Sequence, residues 1–139
     1  MKKTLVLSVF FTIHYTGIAI TFFNVSNLKI ANLTIKNPIT YAVKMNNINN
    51  FTIEDITFDF NYGNEFAGNM DGIHLNGRCY FGVIRNIKGS CYDDMIALNA
   101  DEGVPGTITD IQIDGIFADD SHSAVRLLSA DYPVERISI

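Results

Sequence analysis

An apolar pattern that returns at nearly constant spacing leaves a chain few ways to fold, and here one returns six times. It consists of an apolar residue, any residue, a mostly polar residue, an apolar residue, any residue and usually another apolar one. It reads Val6-Leu7-Ser8-Val9-Phe10-Phe11, Ile30-Ala31-Asn32-Leu33-Thr34-Ile35, Ile53-Glu54-Asp55-Ile56-Thr57-Phe58, Ile84-Arg85-Asn86-Ile87-Lys88-Gly89, Ile108-Thr109-Asp110-Ile111-Gln112-Ile113 and Val134-Glu135-Arg136-Ile137-Ser138-Ile139. The starts are 24, 23, 31, 24 and 26 residues apart. A second series of strict alternation lies between them: Ile18-Ala19-Ile20, Val43-Lys44-Met45, Ile73-His74-Leu75, Ile96-Ala97-Leu98 and Val125-Arg126-Leu127, at spacings of 25, 30, 23 and 29.

Two interleaved series with one shared period are what a solenoid requires, because each repeat must deliver its apolar side chains to the same core layer. A leucine-rich horseshoe has a similar period, but its leucine and asparagine signature is missing. Alternation rich in Ile, Val, Thr and Phe predicts strands, and no segment carries helical periodicity with caps. Asn and Gly stand at the strand ends, in Asn46-Asn47, Asn49-Asn50, Asn61-Tyr62-Gly63-Asn64 and Gly103-Val104-Pro105-Gly106, where tight turns need left-handed backbone. The fold predicted is all-β: a single-stranded right-handed parallel β-helix of about five to six coils, with residues 1–139 as one partial domain. The longer intervals, near Phe60 to Asn69 and Asp101 to Gly106, are expected to be loops extruded from a coil. The pattern runs to both ends without a polar cap, which suggests a fragment of a longer protein, little active alone.

Composition narrows the function. With 47% hydrophobic residues in 139, the chain can bury a core. A net charge of -5 and no Lys/Arg cluster argue against nucleic acid. Met1-Lys2-Lys3 and the apolar stretch after it resemble a secretory leader, but the same residues fit the repeat and no small-residue cleavage site follows; localisation stays open, secreted or periplasmic if the parent carries a signal. No apolar stretch reaches membrane-spanning length. Cys79 and Cys91 are too few for a disulfide framework, lack metal-ligand spacing and read as turn or core residues; no metal site and no cofactor is expected.

Aligning the second series coil by coil sorts the remaining residues into columns. Two positions before each strand's first apolar residue stand Thr16, Tyr41, Asp71, Asp94 and Ser123; one position earlier stand Tyr15, Thr40, Met70, Asp93 and His122. Between the apolar pair stand Ala19, Lys44, His74, Ala97 and Arg126. Asp71 is thus expected above Asp94, with Asp93 beside them and His122 on the next coil. A bare solenoid has no reason to stack carboxylates, because like charges on adjacent strands repel. Glycosidic hydrolysis does: one protonated carboxyl donates to the leaving oxygen, an ionised one activates water, and mutual repulsion keeps a proton on the cluster.

Plainer readings stand beside this one. Asp71-Gly72 is a common turn dipeptide, Asp93-Asp94 is a possible solvated strand start, and Asp119-Asp120 shows such pairs here without evident purpose. His14, His74 and a lone His122 read as surface residues, and Arg126 as solvated or ion-paired to an acid. Tyr15, Tyr41 and Tyr92 lie near the acids, for packing or for stacking on sugar rings, and the phenylalanines read as core or bend-stacking groups.

The segments Asn69-Met70-Asp71-Gly72-Ile73, Asp93-Asp94-Met95-Ile96-Ala97-Leu98 and Ser121-His122-Ser123-Ala124-Val125 resemble, in order, the N-T-D, G-D-D and G-H-G motifs of the polygalacturonase-like glycoside hydrolases, pectin-degrading β-helix enzymes. Met70, Tyr92 and Ser123 depart from the family's Thr, Gly and Gly, and its R-I-K motif falls a coil beyond the last residue. The resemblance implies Asp93 as general acid, Asp71 and Asp94 as the pair activating water for inversion, and His122 as a helper of the acid. Arg126 stands in the column of the R-I-K arginine, one coil early, and with Lys44, His74 and Asn69 is nominated for substrate contact. Two other readings remain: a carbohydrate-binding β-helix without chemistry, and a calcium-dependent lyase or epimerase using Asp71, Asp93 and Asp94 as oxygen ligands.

Overall fold

The structure, a computed structural model, describes residues 17–62 and 68–139. The described residues form eight strands: β1 (Ile20–Lys36), β2 (Val43–Asp59), β3 (Ile73–Asn76), β4 (Cys79–Ser90), β5 (Asp94–Asn99), β6 (Ile108–Ala118), β7 (Ser123–Leu128) and β8 (Val134–Ser138). Every pairing is parallel, in the order β7-β5-β3-β2-β4-β6-β8, with β1 also on β2. The first half of β2 pairs with β3 and its second half with β4, so β1, β2, β3–β4, β5–β6 and β7–β8 are successive coils. This is the predicted right-handed parallel β-helix, the hand that parallel crossovers take.

Its core is a set of columns. Val43, Ile73, Ile96 and Val125 pair in register on one wall, as do Met45, Leu75, Leu98 and Leu127. Ile30, Ile53, Ile84 and Ile113 do so on another, and Ile53, Ile84, Ile73 and Ile96 are fully enclosed. The register corrects two expectations. Val43 pairs with Ile20, not Ile18, so Thr21 rather than Ala19 heads the column of Lys44. Ile84 pairs with Ile113, whereas Ile108 pairs with Cys79 and with Val134. The first copy of the repeat, Val6 to Phe11, lies outside the described residues.

Left-handed corners set this geometry; beside one at Asn24, Asn47 and Arg78, two recur farther along the solenoid. Asn27, Asn50, Phe81, Asp110 and Arg136 occupy equivalent places at one, and Asn32, Asp55, Asn86 and Gly115 at the other; all have positive φ, between 51° and 65°. Asn and Asp tolerate this left-handed backbone better than most residues. Their side chains also bond from coil to coil: Asn50 Nδ2 donates to Asn27 Oδ1 at 2.6 Å, and Asn86 Nδ2 donates to Asp55 Oδ1. Outside the second corner Glu54 takes Lys29 at 2.5 Å and Arg85 at 2.5 Å, which holds its carboxyl below the usual range.

The loop at 101–106 leaves the coil as expected but folds back on it. Val104 N–H donates to Asn46 Oδ1 at 2.9 Å, Asn46 Nδ2 donates to the Gly77 carbonyl at 2.8 Å, and Gly106 N–H donates to the Ala100 carbonyl at 2.9 Å. At the loop's far side the Asp101 carboxylate accepts the backbone N–H groups of Ala130, Asp131 and Tyr132 at 2.6 to 3.1 Å. Of the loop near Phe60 to Asn69, residues 63–67 lie outside those described.

Core truncation should separate column from corner. Ile84→Ala, at the centre of its column, is expected to cost about 2–5 kcal/mol, whereas Leu33→Ala, partly exposed on β1, should cost clearly less; urea unfolding checks the ranking.

Candidate active site

The register that aligns Ile73 with Ile96 and Val125 brings the acids together. Gly72 N–H donates to the Asp94 carbonyl at 3.0 Å, Asp94 pairs with Ser123, and His122 N–H donates to the Asp93 carbonyl at 2.9 Å. Asp71, Asp93, Asp94 and His122 therefore sit at the starts of β3, β5 and β7, on consecutive coils. Gly72 is not the turn glycine its dipeptide suggests, since no left-handed backbone is found there. A Cβ at this position would come within 2.5 Å of the Phe58 ring and 2.6 Å of the Met95 carbonyl. The glycine lets the strand carrying Asp71 lie against the core.

The three carboxylates have different surroundings. Asp71 is 2% exposed; its Oδ1 accepts the Asp94 N–H at 3.2 Å and its Oδ2 lies 2.5 Å from His74 Nδ1. Burial pushes its carboxyl above the usual range, while His74 and the Asp94 N–H pull against that. Asp94, also buried, accepts Ser123 Oγ at 2.6 Å on Oδ1 and Arg126 Nη1 at 3.4 Å on Oδ2. Asp93 is the more open acid, with 18% of its side chain exposed. Its Oδ2 accepts the Asn69 N–H at 2.7 Å, and its Oδ1 lies 3.5 Å from Nδ1 of the largely exposed His122. One inward-held pair and one more accessible acid thus share a patch.

The residues nominated for substrate contact divide. Lys44, His74, Ala97 and Arg126 form one column, as expected. Lys44 Nζ lies 4.7 Å from the centre of the Tyr41 ring, and Arg126 pairs with Asp94. Asn69 touches Asp93 through its backbone and accepts the Tyr41 hydroxyl on Oδ1 at 2.8 Å. His74, expected on the surface, is only 2% exposed and contacts Asp71, Asn76 and Glu102. Tyr41 stacks on it at 4.2 Å, and burial together with nearby Glu102, Asp71 and Asp93 pushes the Tyr41 phenol up to about 12. Sequence reasoning missed Glu102 and Asn76: Glu102 arrives from a loop far along the chain, and Asn76 looks like an ordinary strand end. Tyr15, Thr16 and His14 lie outside the described residues.

Asp93, Asp94 and His122 offer three ligand atoms within 4.8 Å of one another. That grouping differs from the three acids of the calcium reading, since it takes in His122 and leaves out Asp71. The Cys79 and Cys91 thiols are buried, and burial pushes them up to about 12 and about 11.

Because its folded-state carboxyl titrates above the ordinary value, ionised Asp71 costs stability once the pH exceeds that titration, and the cost vanishes below the unfolded-state value. The stability of the wild type relative to Asp71→Asn, read from the urea midpoints, should therefore fall as the pH rises through the carboxylate range. A difference independent of pH would contradict this origin.

The family model described as "Glycosyl hydrolases family 28" matches residues 12–123, a span that contains Asp71, Asp93, Asp94 and His122 and stops short of Arg126. Comparison with curated proteins and with solved structures gave no match. With the parallel coil and the match over most of its length, the chain belongs to glycosyl hydrolases family 28 and is a glycosidase by that resemblance.

Proposed function

We propose that the protein which these coils belong to hydrolyses a glycosidic bond with inversion at the anomeric carbon, in a uronate-containing polysaccharide of the pectin type. The observation that carries this is the unequal setting of the stacked acids: Asp71 and Asp94 buried and linked by the Asp94 N–H, Asp93 more open beside them. An inverting hydrolase needs that asymmetry, because one carboxyl must arrive protonated at the leaving oxygen while another, ionised, takes a proton from water.

In this reading Asp93 is the general acid. It donates its proton to the glycosidic oxygen as the bond from that oxygen to the anomeric carbon breaks. Water attacks the same carbon from the opposite side, and its proton passes to the Asp71–Asp94 pair. The leaving sugar departs as an alcohol and the new hemiacetal has inverted configuration. His122, 3.5 Å from Asp93, keeps the acid oriented. Arg126 and Lys44, one column on the same wall, supply the positive charge that a uronate carboxylate seeks.

Asp93→Asn in the full-length protein should lower reducing-end release from polygalacturonate by a factor on the order of a hundred to ten thousand, with an unchanged circular dichroism spectrum. Proton NMR of the first product should show the inverted anomer. Retained turnover removes Asp93 as the acid, and equal cleavage of a carboxyl-reduced polymer removes the uronate preference.

A further inference from the structure

Behind the acids, the buried polar groups form a chain of their own. The His74 ring leaves the apolar core between Ile73 and Leu75 but does not reach solvent, because Tyr41 stacks on one side and the 101–106 loop closes over it. Its Nδ1 is 2.5 Å from Asp71 Oδ2; its Nε2 is 2.8 Å from Asn76 Oδ1 and 3.1 Å from Glu102 Oε2. Both ring nitrogens therefore face a carboxylate oxygen, and turning the Asn76 amide round would not change that. A neutral imidazole has a single N–H. One of the two contacts would be acceptor against acceptor unless the chain holds a further proton, and the closest contact, with Asp71, is where it fits.

We propose that Glu102, His74 and Asp71 form a buried acid–imidazole–acid relay, in which His74 is a positioning residue that fixes the Asp71 carboxyl and holds it ionised to accept the proton of attacking water. This rests on the reading of Asp71 as part of the water-activating pair. Glu102, whose side chain is 41% exposed, connects the relay to solvent and is itself held by Asn99 Nδ2 at 3.2 Å. The charged and titratable groups facing Asp71 are His74 on its own strand, Asp93, the Asp94 N–H and the buried Cys91 thiol on the next coil, and Tyr41 on the preceding one. Arg126 pairs with Asp94, and His74 is the basic side chain bonded to Asp71. Burial and Asp93 both favour the protonated carboxyl, and His74 opposes them.

Without the imidazole Asp71 keeps its proton to higher pH, so the acid limb of the rate profile moves up. In the full-length protein, His74→Asn should move that limb of kcat upward by about one pH unit and lower kcat roughly tenfold, with KM changed less than about twofold. Glu102→Gln should act in the same direction by less. The Asp71 carboxyl carbon, followed by 13C NMR, should titrate at higher pH in both variants. An unmoved limb with an unmoved titration, or a loss carried by KM, overturns the relay. Should His74→Asn fail to fold, the half-exposed Glu102→Gln decides alone by the same two readouts. Asp71→Asn separates the layers: an active variant removes the reading of Asp71 as base and the relay with it, whereas an inactive one beside unmoved His74 and Glu102 variants removes the relay only.

Discussion

The in-register parallel ladder is the constraint from which the other features follow, because it places equivalent residues of successive coils directly above one another. For isoleucine that is favourable: Ile53, Ile84 and Ile113 fill one column without gaps. For aspartate it is costly, since stacked like charges repel. The site meets that cost with polar partners for each buried oxygen. Asp71 has the Asp94 N–H and His74; Asp94 has Ser123 and Arg126. Even the ladder's own backbone serves, for the N–H that bonds Asp71 comes from the strand bearing its repelling neighbour.

Much of the fold was legible in the sequence because the inward residues of a coil must repeat. The column from Val43 through Ile73 and Ile96 to Val125 was readable residue by residue. The slip at β6 has a physical reason. Two of the left-handed corners lie five residues apart on a coil, and each is followed by an apolar residue or glycine. Asn86-Ile87 is a second corner, and its partner is Gly115-Ile116; Asp110-Ile111 is a first corner and belongs with Phe81-Gly82. Polar-then-apolar describes both, so periodicity alone cannot tell one from the other. At the N-terminal end, Ile18-Ala19-Ile20 and Ile20-Thr21-Phe22 alternate equally well, and only pairing with Val43 selects the second.

At the site, alternation placed His74 correctly on the outer side of its strand and wrongly in solvent. Direction is local, set by Ile73 and Leu75 on either side. Exposure depends on what crosses over the strand, here Tyr41 from one coil and a loop pinned by Asn46 from another. Asn46, buried in the ladder position before Asn47, looked like another turn residue. Its amide instead holds both the Gly77 carbonyl and the Val104 N–H, and so brings Glu102 down onto the imidazole.

Coil length varies while the ladder does not, and the variation is where this fold gains its chemistry. A residue added within a ladder strand would shift every partner beyond it, so extra length is confined to the connections. Two of those connections border the acids. One ends at Asn69, whose N–H holds Asp93 in place; the other carries Glu102 to His74. The rigid wall supplies the spacing of the carboxylates, and the connections decide how wet each one is. Asp93, bonded from the rim, stays partly open beside the exposed His122, whereas Asp71, roofed through His74, is closed. The chemical inequality of three identical side chains thus arises from loops attached to a repeat that, left to itself, would treat them alike.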